Sequence, residues 1–309
     1  MNINKKFLIV RPKYGLCNQI YSISKGIIFG MITNRDIIFS KFQLDYRDEN
    51  NSCSFHEIIN IDNLKNILNK YNIKINIYSN DNIECKKINL FNNEKISYIK
   101  NFIELLFIEE NINEVYLDID NPISANTPEQ FKDLEKYINI NIKFTEKYIN
   151  IANNIKNILN LKDYTCIHLR LENDSLNWMK EQNNKNLSID KINEIYKNKY
   201  LEQLEILKNI DHKIYICTSL MINENINNNF YKEIKLKYNL LDKNDFINQN
   251  NQNNNFRELF AIIDYIIAQD SIYFVGSDWS SFSICLNDYQ LVNNKASKLI
   301  NIWETIKNL

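Results

Sequence analysis

The chain has 309 residues, with 37 lysines and arginines against 38 aspartates and glutamates and a formal net charge of −1. The two signs are interspersed, which leaves no basic block to hold nucleic acid or an anionic membrane as the main partner. The length allows two domains of about 150 residues, and the six cysteines (17, 53, 85, 166, 217, 285) form no Cys-x-x-Cys pair, so they read as buried thiols in a reducing compartment.

In chain order, Met1–Val10 carries only four consecutive apolar residues, too few for a signal h-region or a membrane span. No later segment has spanning length, and the expected location is cytoplasmic. Asn-x-Ser sequons begin at Asn50, Asn173 and Asn186, as chance produces in an asparagine-rich chain. Lys6–Val10 reads as a buried strand, Arg11–Asn18 as a polar loop, Gln19–Met31 as a helix and Asp36–Ser40 as the next strand. That is the opening of a doubly wound half. From Ser54 to Asn121, helical patterns (Phe55–Tyr71, Ile96–Phe107) mix with short strands (Ile73–Tyr78, Glu114–Leu117). Glu129–Leu161 reads as two amphipathic helices leading to a boundary near residue 155.

A second alternation follows. Thr165–Leu169 is a strand, Ile189–Ile210 a helix, Lys213–Thr218 a strand, Phe256–Gln269 a helix, Ile272–Val275 a strand, and Ser281–Leu286 starts a helix. The Asn/Gln tract Asn248–Asn255 is a low-complexity surface loop. The expected class is α/β: two facing Rossmann-like domains with mainly parallel sheets, residues 1–155 and 156–309, and the ligand in the cleft.

Three segments carry chemistry. In Arg11-Pro-Lys-Tyr-Gly-Leu-Cys-Asn-Gln19, Gly15 permits positive φ or a close ligand approach. Asn18 is placed at the helix N-cap, with its amide able to reach outward. A capped helix after a tight turn explains the same residues.

The second is Thr165-Cys-Ile-His-Leu-Arg-Leu-Glu-Asn-Asp174, an apolar run ending in His168-x-Arg170 and two acids. Alternation puts His168 and Arg170 on one side of the strand. A buried guanidinium needs a fixed anion, either a phosphate or carboxylate ligand matched by its planar fork or the chain's own Glu172 and Asp174. His168 alone reads equally as a hydrogen-bonded core histidine.

In the third, Tyr273-Phe-Val-Gly-Ser-Asp-Trp-Ser-Ser-Phe-Ser283, a strand ends at Gly276 and a serine-rich turn opens a helix. Free N–H groups there, with the Ser280 and Ser281 hydroxyls, make an anion cradle, or the serines simply cap the helix. Asp264, in the apolar stretch Leu259–Ile267, is either solvent-facing or a buried acid reaching a base or ribose hydroxyl.

Together, Gly15-Leu-Cys-Asn-Gln19, His168-Leu-Arg-Leu-Glu-Asn-Asp174, Ala261-Ile-Ile-Asp264 and Phe274–Ser283 resemble, in order and spacing, the GDP-fucose O-fucosyltransferase family. The resemblance implies a GT-B glycosyltransferase that inverts at the sugar carbon and needs no metal or other cofactor. It implies GDP-fucose as donor, held mainly by the C-terminal half, and a glycan or protein hydroxyl as acceptor on the side of the N-terminal half. Carried over by position, Arg170 binds the diphosphate, and Ser280, Ser281 and Phe282 hold phosphates. His168 and Asp264 contact the nucleoside, and Gly15 and Asn18 reach the sugar-phosphate.

Family members that modify thrombospondin repeats carry a first-loop glutamate as candidate base. Here Tyr14-Gly-Leu-Cys17 has no acid. Glu172 or Asp174 is then the general base, or both orient Arg170. Two alternatives stay open. One is the same fold using UDP-rhamnose or another nucleotide 6-deoxyhexose; the other is a catalytically silent nucleotide- or glycan-binding module. Asp118-Ile-Asp120 is a D-x-D pattern of the kind that holds a divalent cation beside a diphosphate, but Arg170 and a helix N-terminus make a metal redundant. No His/Cys cluster has zinc spacing, and no Gly-x-Ser-x-Gly elbow is present.

Overall fold

The computed structural model describes residues 6–45, 48, 50–79, 87–88, 116–120, 127–182, 187–210, 212–219, 226–247 and 257–308. The chain divides into two compact units, Met1–Tyr148 and Ile149–Leu309.

The first unit opens with β1 (Phe7–Arg11), α1 (Leu16–Thr33) and β2 (Asp36–Phe39). A short antiparallel pair follows, β3 (Lys41–Gln43) and β4 (Ser52–Ser54), and then α2 (Phe55–Ile58) and α3 (Ile61–Lys70). Next come β5 (Ile77–Ser79), β6 (Lys87–Ile88), β7 (Tyr116–Asp120) and α4 (Lys132–Asn141); α5 (Glu146–Ile158) spans the join between units. Five strands form a sheet in the order β5-β2-β1-β7-β6, every pair parallel. Helix α1 lies close on it. A Cβ at Gly26 would stand 2.7 Å from Val10 Cγ2, so the helix–sheet approach needs a residue without one.

The helix expected over Phe55–Tyr71 is two helices. Asn60 breaks it by capping α3, its Oδ1 accepting the Asn63 N–H at 2.9 Å, a local bond that competes with helix continuation. The expected helix Ile96–Phe107 and the tract Asn248–Asn255 lie outside the described residues. Asp118 and Asp120 stand within β7, opposite Ile9 and Arg11 of β1, instead of following a strand.

The second unit contains β8 (Tyr164–His168), α6 (Asn173–Gln182), α7 (Ile189–Leu207), β9 (Lys213–Cys217), α8 (Asn228–Lys237) and α9 (Asn244–Ile247). It continues through α10 (Arg257–Asp270), β10 (Tyr273–Ser277), α11 (Ser281–Val292), β11 (Ala296–Ile300) and α12 (Ile302–Lys307). Its sheet runs β11-β10-β8-β9, again all parallel. Ile167, Ile216 and Val275 on the sheet pack with Leu176, Tyr196 and Leu204 on helices, each buried aliphatic side chain contributing about 1.5–3 kcal/mol.

The fold is α/β with mainly parallel sheets. In the second unit the chain goes from β8 outward to β9, then crosses back to β10 on the other side of β8. The reversal between β8 and β10 opens a crevice at their carboxyl ends, where such sheets hold ligands. In the first unit the same reversal falls between β1 and β7, and the loop Arg11–Gly15 leaves its carboxyl end.

Candidate active site

Beyond β8 the chain turns at Leu169-Arg170-Leu171, and the backbone of this turn is fixed. Leu169 N–H donates to Cys217 O at 2.9 Å, Thr218 Oγ1 donates to Leu169 O at 3.1 Å, and Arg170 N–H donates to Tyr200 Oη at 3.1 Å. The Arg170 guanidinium is then gripped from one side. Its Nη1 donates to Glu172 Oε2 at 2.9 Å and Asp174 Oδ1 at 3.3 Å, and its Nη2 to Asp174 Oδ2 at 2.7 Å. Glu172 is itself anchored, its Oε1 accepting from Ser219 N–H at 3.1 Å and Ser219 Oγ at 2.6 Å. Asp174 is shared with a second guanidinium: Arg257 Nη1 and Nη2 lie 3.4 and 3.5 Å from its Oδ2.

Electrostatics follow from this geometry. Burial works against charge on Arg170, but Glu172 and Asp174 outweigh it and hold the guanidinium protonated. Burial would raise both acids. Arg170 and Arg257 instead hold the Glu172 carboxyl below the ordinary range, and Asp174 well below it.

His168 ends β8. Its Nδ1 is 2.8 Å from Ser283 Oγ, which also accepts the Ser277 N–H at 3.0 Å. The ring lies 4.5 Å from that of Phe282. Burial pushes its pKa down to about 3, so the imidazole is neutral at any working pH. These contacts bring the carboxyl end of β8 against the first turn of α11. Gly276 permits the approach, because a Cβ there would stand 2.5 Å from Ser283 Oγ. Ser280 is the N-cap of α11, but its side chain makes no capping hydrogen bond. The first N–H groups of α11, those of Ser281 and Phe282 among them, therefore have no side-chain acceptor at the cap, and the helix dipole favours an anion there.

Asp264 is 3% exposed, which excludes the solvent-facing reading. Lys243 Nζ donates to its Oδ2 at 2.5 Å, Thr218 N–H to the same oxygen at 3.2 Å, and Tyr215 Oη to Oδ1 at 2.8 Å. Lys243, wholly buried, also donates to Thr218 O at 2.6 Å. The Asp264 carboxylate is thus engaged with protein groups on both oxygens.

In the first unit two readings of the β1–α1 loop change. The N-cap of α1 is Gly15, not Asn18, and Gly15 has φ −63°. Tyr14 is the residue with positive φ, at 72°. Gln19 and Gln43 clamp this turn: Gln19 Nε2 donates to Tyr14 O at 2.8 Å and Gln43 O at 2.9 Å, and Tyr14 N–H donates to Gln43 Oε1 at 2.7 Å. With a glycine as cap, the cap residue itself offers no side-chain bond to the α1 N-terminus. Asn18 sits half-buried in the first turn.

A family model described as GDP-fucose protein O-fucosyltransferase matches residues 7–292. The chain belongs to that family. Three solved structures show the same GT-B fold. A NodZ α-1,6-fucosyltransferase soaked with GDP-fucose is 13% identical over 93% of each chain, with a TM-score of 0.56. NodZ from Bradyrhizobium is 12% identical over 92% of this chain and 91% of that one, at 0.56. POFUT1 in complex with GDP-fucose is 12% identical over 96% and 98%, at 0.58. No curated relative matches by sequence.

In this O-fucosyltransferase family member, the second unit gathers His168, Arg170, Glu172, Asp174, Ser280, Ser281 and Phe282 at the carboxyl rim of β8 and β10, while Gly15 and Asn18 belong to the first unit. Sequence reasoning missed Arg257, Ser219, Tyr200 and Lys243, and it placed Ser283 in the third segment without the His168 contact its hydroxyl makes. Arg257 was legible in principle, as the cation opening the apolar helix that carries Asp264 two turns later. The other three lie on elements with no motif spacing. Among the described residues no cluster of three His, Cys, Asp or Glu side chains could hold a metal ion, and no helix is long and apolar enough to cross a membrane.

Proposed function

We infer that the chain transfers fucose from GDP-fucose to a hydroxyl of a glycan or protein acceptor, with inversion and without a resident metal. The observation that carries this reading is the Arg170 guanidinium, fixed by two carboxylates, two residues beyond the point where β8 meets the α11 N-terminus. As the glycosidic bond breaks, negative charge grows on the departing diphosphate. Arg170 and the amides of Ser281 and Phe282 stabilise that charge, a preorganised effect of about 3 kcal/mol for one well-placed donor. Both are charges a divalent cation would otherwise supply.

Glu172 and Asp174 are held ionised and spent on Arg170, Arg257 and Ser219, so they serve as orienters in preference to bases. His168 and Phe282 form a neutral, partly aromatic wall for the nucleoside. Asp264, bonded by Lys243, Thr218 and Tyr215, orders the chain at the carboxyl end of β9. The second unit, Ile149–Leu309, holds the donor. Cytoplasmic residence fits the five described cysteines, all free thiols.

The test is GDP release from GDP-fucose by the full chain, with and without EDTA, for wild type and Arg170→Lys. Release that ignores EDTA and falls at least a hundredfold in the variant supports the reading, because a point charge cannot replace the planar fork. UDP release from UDP-rhamnose, with no GDP release from GDP-fucose, moves the donor to that nucleotide sugar. No release from either, with GDP still bound, leaves a silent binding module.

A further inference from the structure

The three tryptophans of the chain stand 125 residues apart in sequence at the extremes, yet they form one cluster. Trp178 lies on α6, Trp279 in the turn after β10, and Trp303 in the first turn of α12, after β11. Trp178 and Trp279 stack with ring centroids 5.2 Å apart and planes 7° from parallel. Trp303 lies 6.0 Å from Trp178 and has Lys307 Nζ over its own ring at 5.0 Å. Tyr196, fully buried, meets Trp279 edge-on at 6.1 Å. Trp279 and Trp303 pack against the core of the unit, whereas Trp178 is 43% exposed. The outcome is an indole stacked on a second one and left partly exposed to solvent.

Its position is set by α6. Asp174, which grips Arg170, is four residues before Trp178, so the two share one helix face about 5–6 Å apart. The exposed residues next to Trp178 along α6 are Asn177, Lys180, Glu181 and Gln182. A large aromatic side chain left 43% exposed on a helix whose neighbouring exposed residues are polar marks a binding surface.

We propose that Trp178 is a stacking platform for a pyranose ring of an acceptor glycan. The location rests on the donor reading of Arg170. The axial C–H bonds of a pyranose make one face of the ring apolar, and that face matches a flat indole. The ring hydroxyls point outward in its plane, toward groups such as Asn177 and Glu181. The indole stands one helical turn from Asp174, the acid that grips the diphosphate-binding guanidinium, and that neighbourhood suits a sugar of the acceptor. It also suits a glycan over a bare polypeptide, which offers no rigid ring face with a hydroxyl rim.

The experiment uses the full chain on a printed array of N-acetylglucosamine-, galactose- and mannose-terminated oligosaccharides, with and without GDP, for wild type, Trp178→Ala and Trp178→Phe. Thermal shift with GDP is measured on the same samples. The expected result is retention of a defined glycan subset by wild type, at least a tenfold loss in Trp178→Ala, and retention of most binding in Trp178→Phe. The GDP shift is expected to be equal in all three. Equal glycan binding by wild type and Trp178→Ala overturns the platform, and so does a wild type that binds no oligosaccharide. Trp178-dependent glycan binding without any GDP shift upholds the platform and rejects the donor reading instead.

Discussion

At the residue scale, the site's chemistry depends on which groups are charged. His168 illustrates this. Its folded pKa, about 3, lies below the ordinary value of about 6.5. Below pH 6.5 the unfolded chain takes up a proton that the folded chain refuses. Stability from this group is therefore full above pH 6.5 and is lost as pH falls toward 3, at up to about 1.4 kcal/mol per pH unit. Replacing His168 with Asn, which keeps a polar group near Ser283 and cannot titrate, is expected to flatten the stability-versus-pH curve between pH 6.5 and 4.5. Urea midpoints across that range measure it, and an unchanged slope would place the titrating group elsewhere. The sequence announced His168 and Arg170 together, because a strand ending in a charge is visible in the alternation of residue types. It left open whether Glu172 and Asp174 are bases or orienters. That question turns on distances to Arg257 and Ser219, residues far away in sequence, which no local pattern encodes.

At the element scale, α10 is tied to the carboxyl end of β9 by the Lys243–Asp264 pair. Both groups are buried, so removing one strands the other. Lys243→Met is expected to lower stability by about 3–5 kcal/mol, and adding Asp264→Asn to recover most of that loss. Denaturant unfolding of the two variants measures it; equal instability of single and double variants would mean that Lys243 acts through packing alone. The same pair bears on what was legible. Strands β1, β2, β8, β9 and β10 and helices α1, α7, α10 and α11 stood out, because parallel strands buried on both faces read as apolar runs and long helices carry period. The hairpin β3–β4, the edge strand β11 and helices α6, α8 and α12 did not. They are short or polar, and their places are held by partners distant in sequence, as Asp278 holds α12 by accepting the Ile302 and Trp303 N–H groups at 3.2 and 3.0 Å. Helix α6 matters most, since it carries Asp174 and Trp178.

At the scale of the whole molecule, two compact units with the proposed donor site in one of them have a thermodynamic consequence. A ligand that binds only the folded state stabilises it by mass action, about 2.7 kcal/mol at a hundredfold excess over its dissociation constant. GDP is expected to act on Ile149–Leu309, because Arg170, Ser280 and Phe282 all belong to that unit. Thermal unfolding is expected to show a GDP-dependent rise that ignores EDTA, because the proposed diphosphate site is a guanidinium and helix amides with no metal. Hydrogen exchange with and without GDP is expected to slow in the turn after β8 and the first turn of α11, with little change in β1 and β2. A rise with UDP and none with GDP would keep the fold and change the base of the donor. A rise abolished by EDTA would bring a metal into the site. No rise with either nucleotide would reject the α11 N-terminus as a phosphate site, and with it the transferase mechanism built on Arg170.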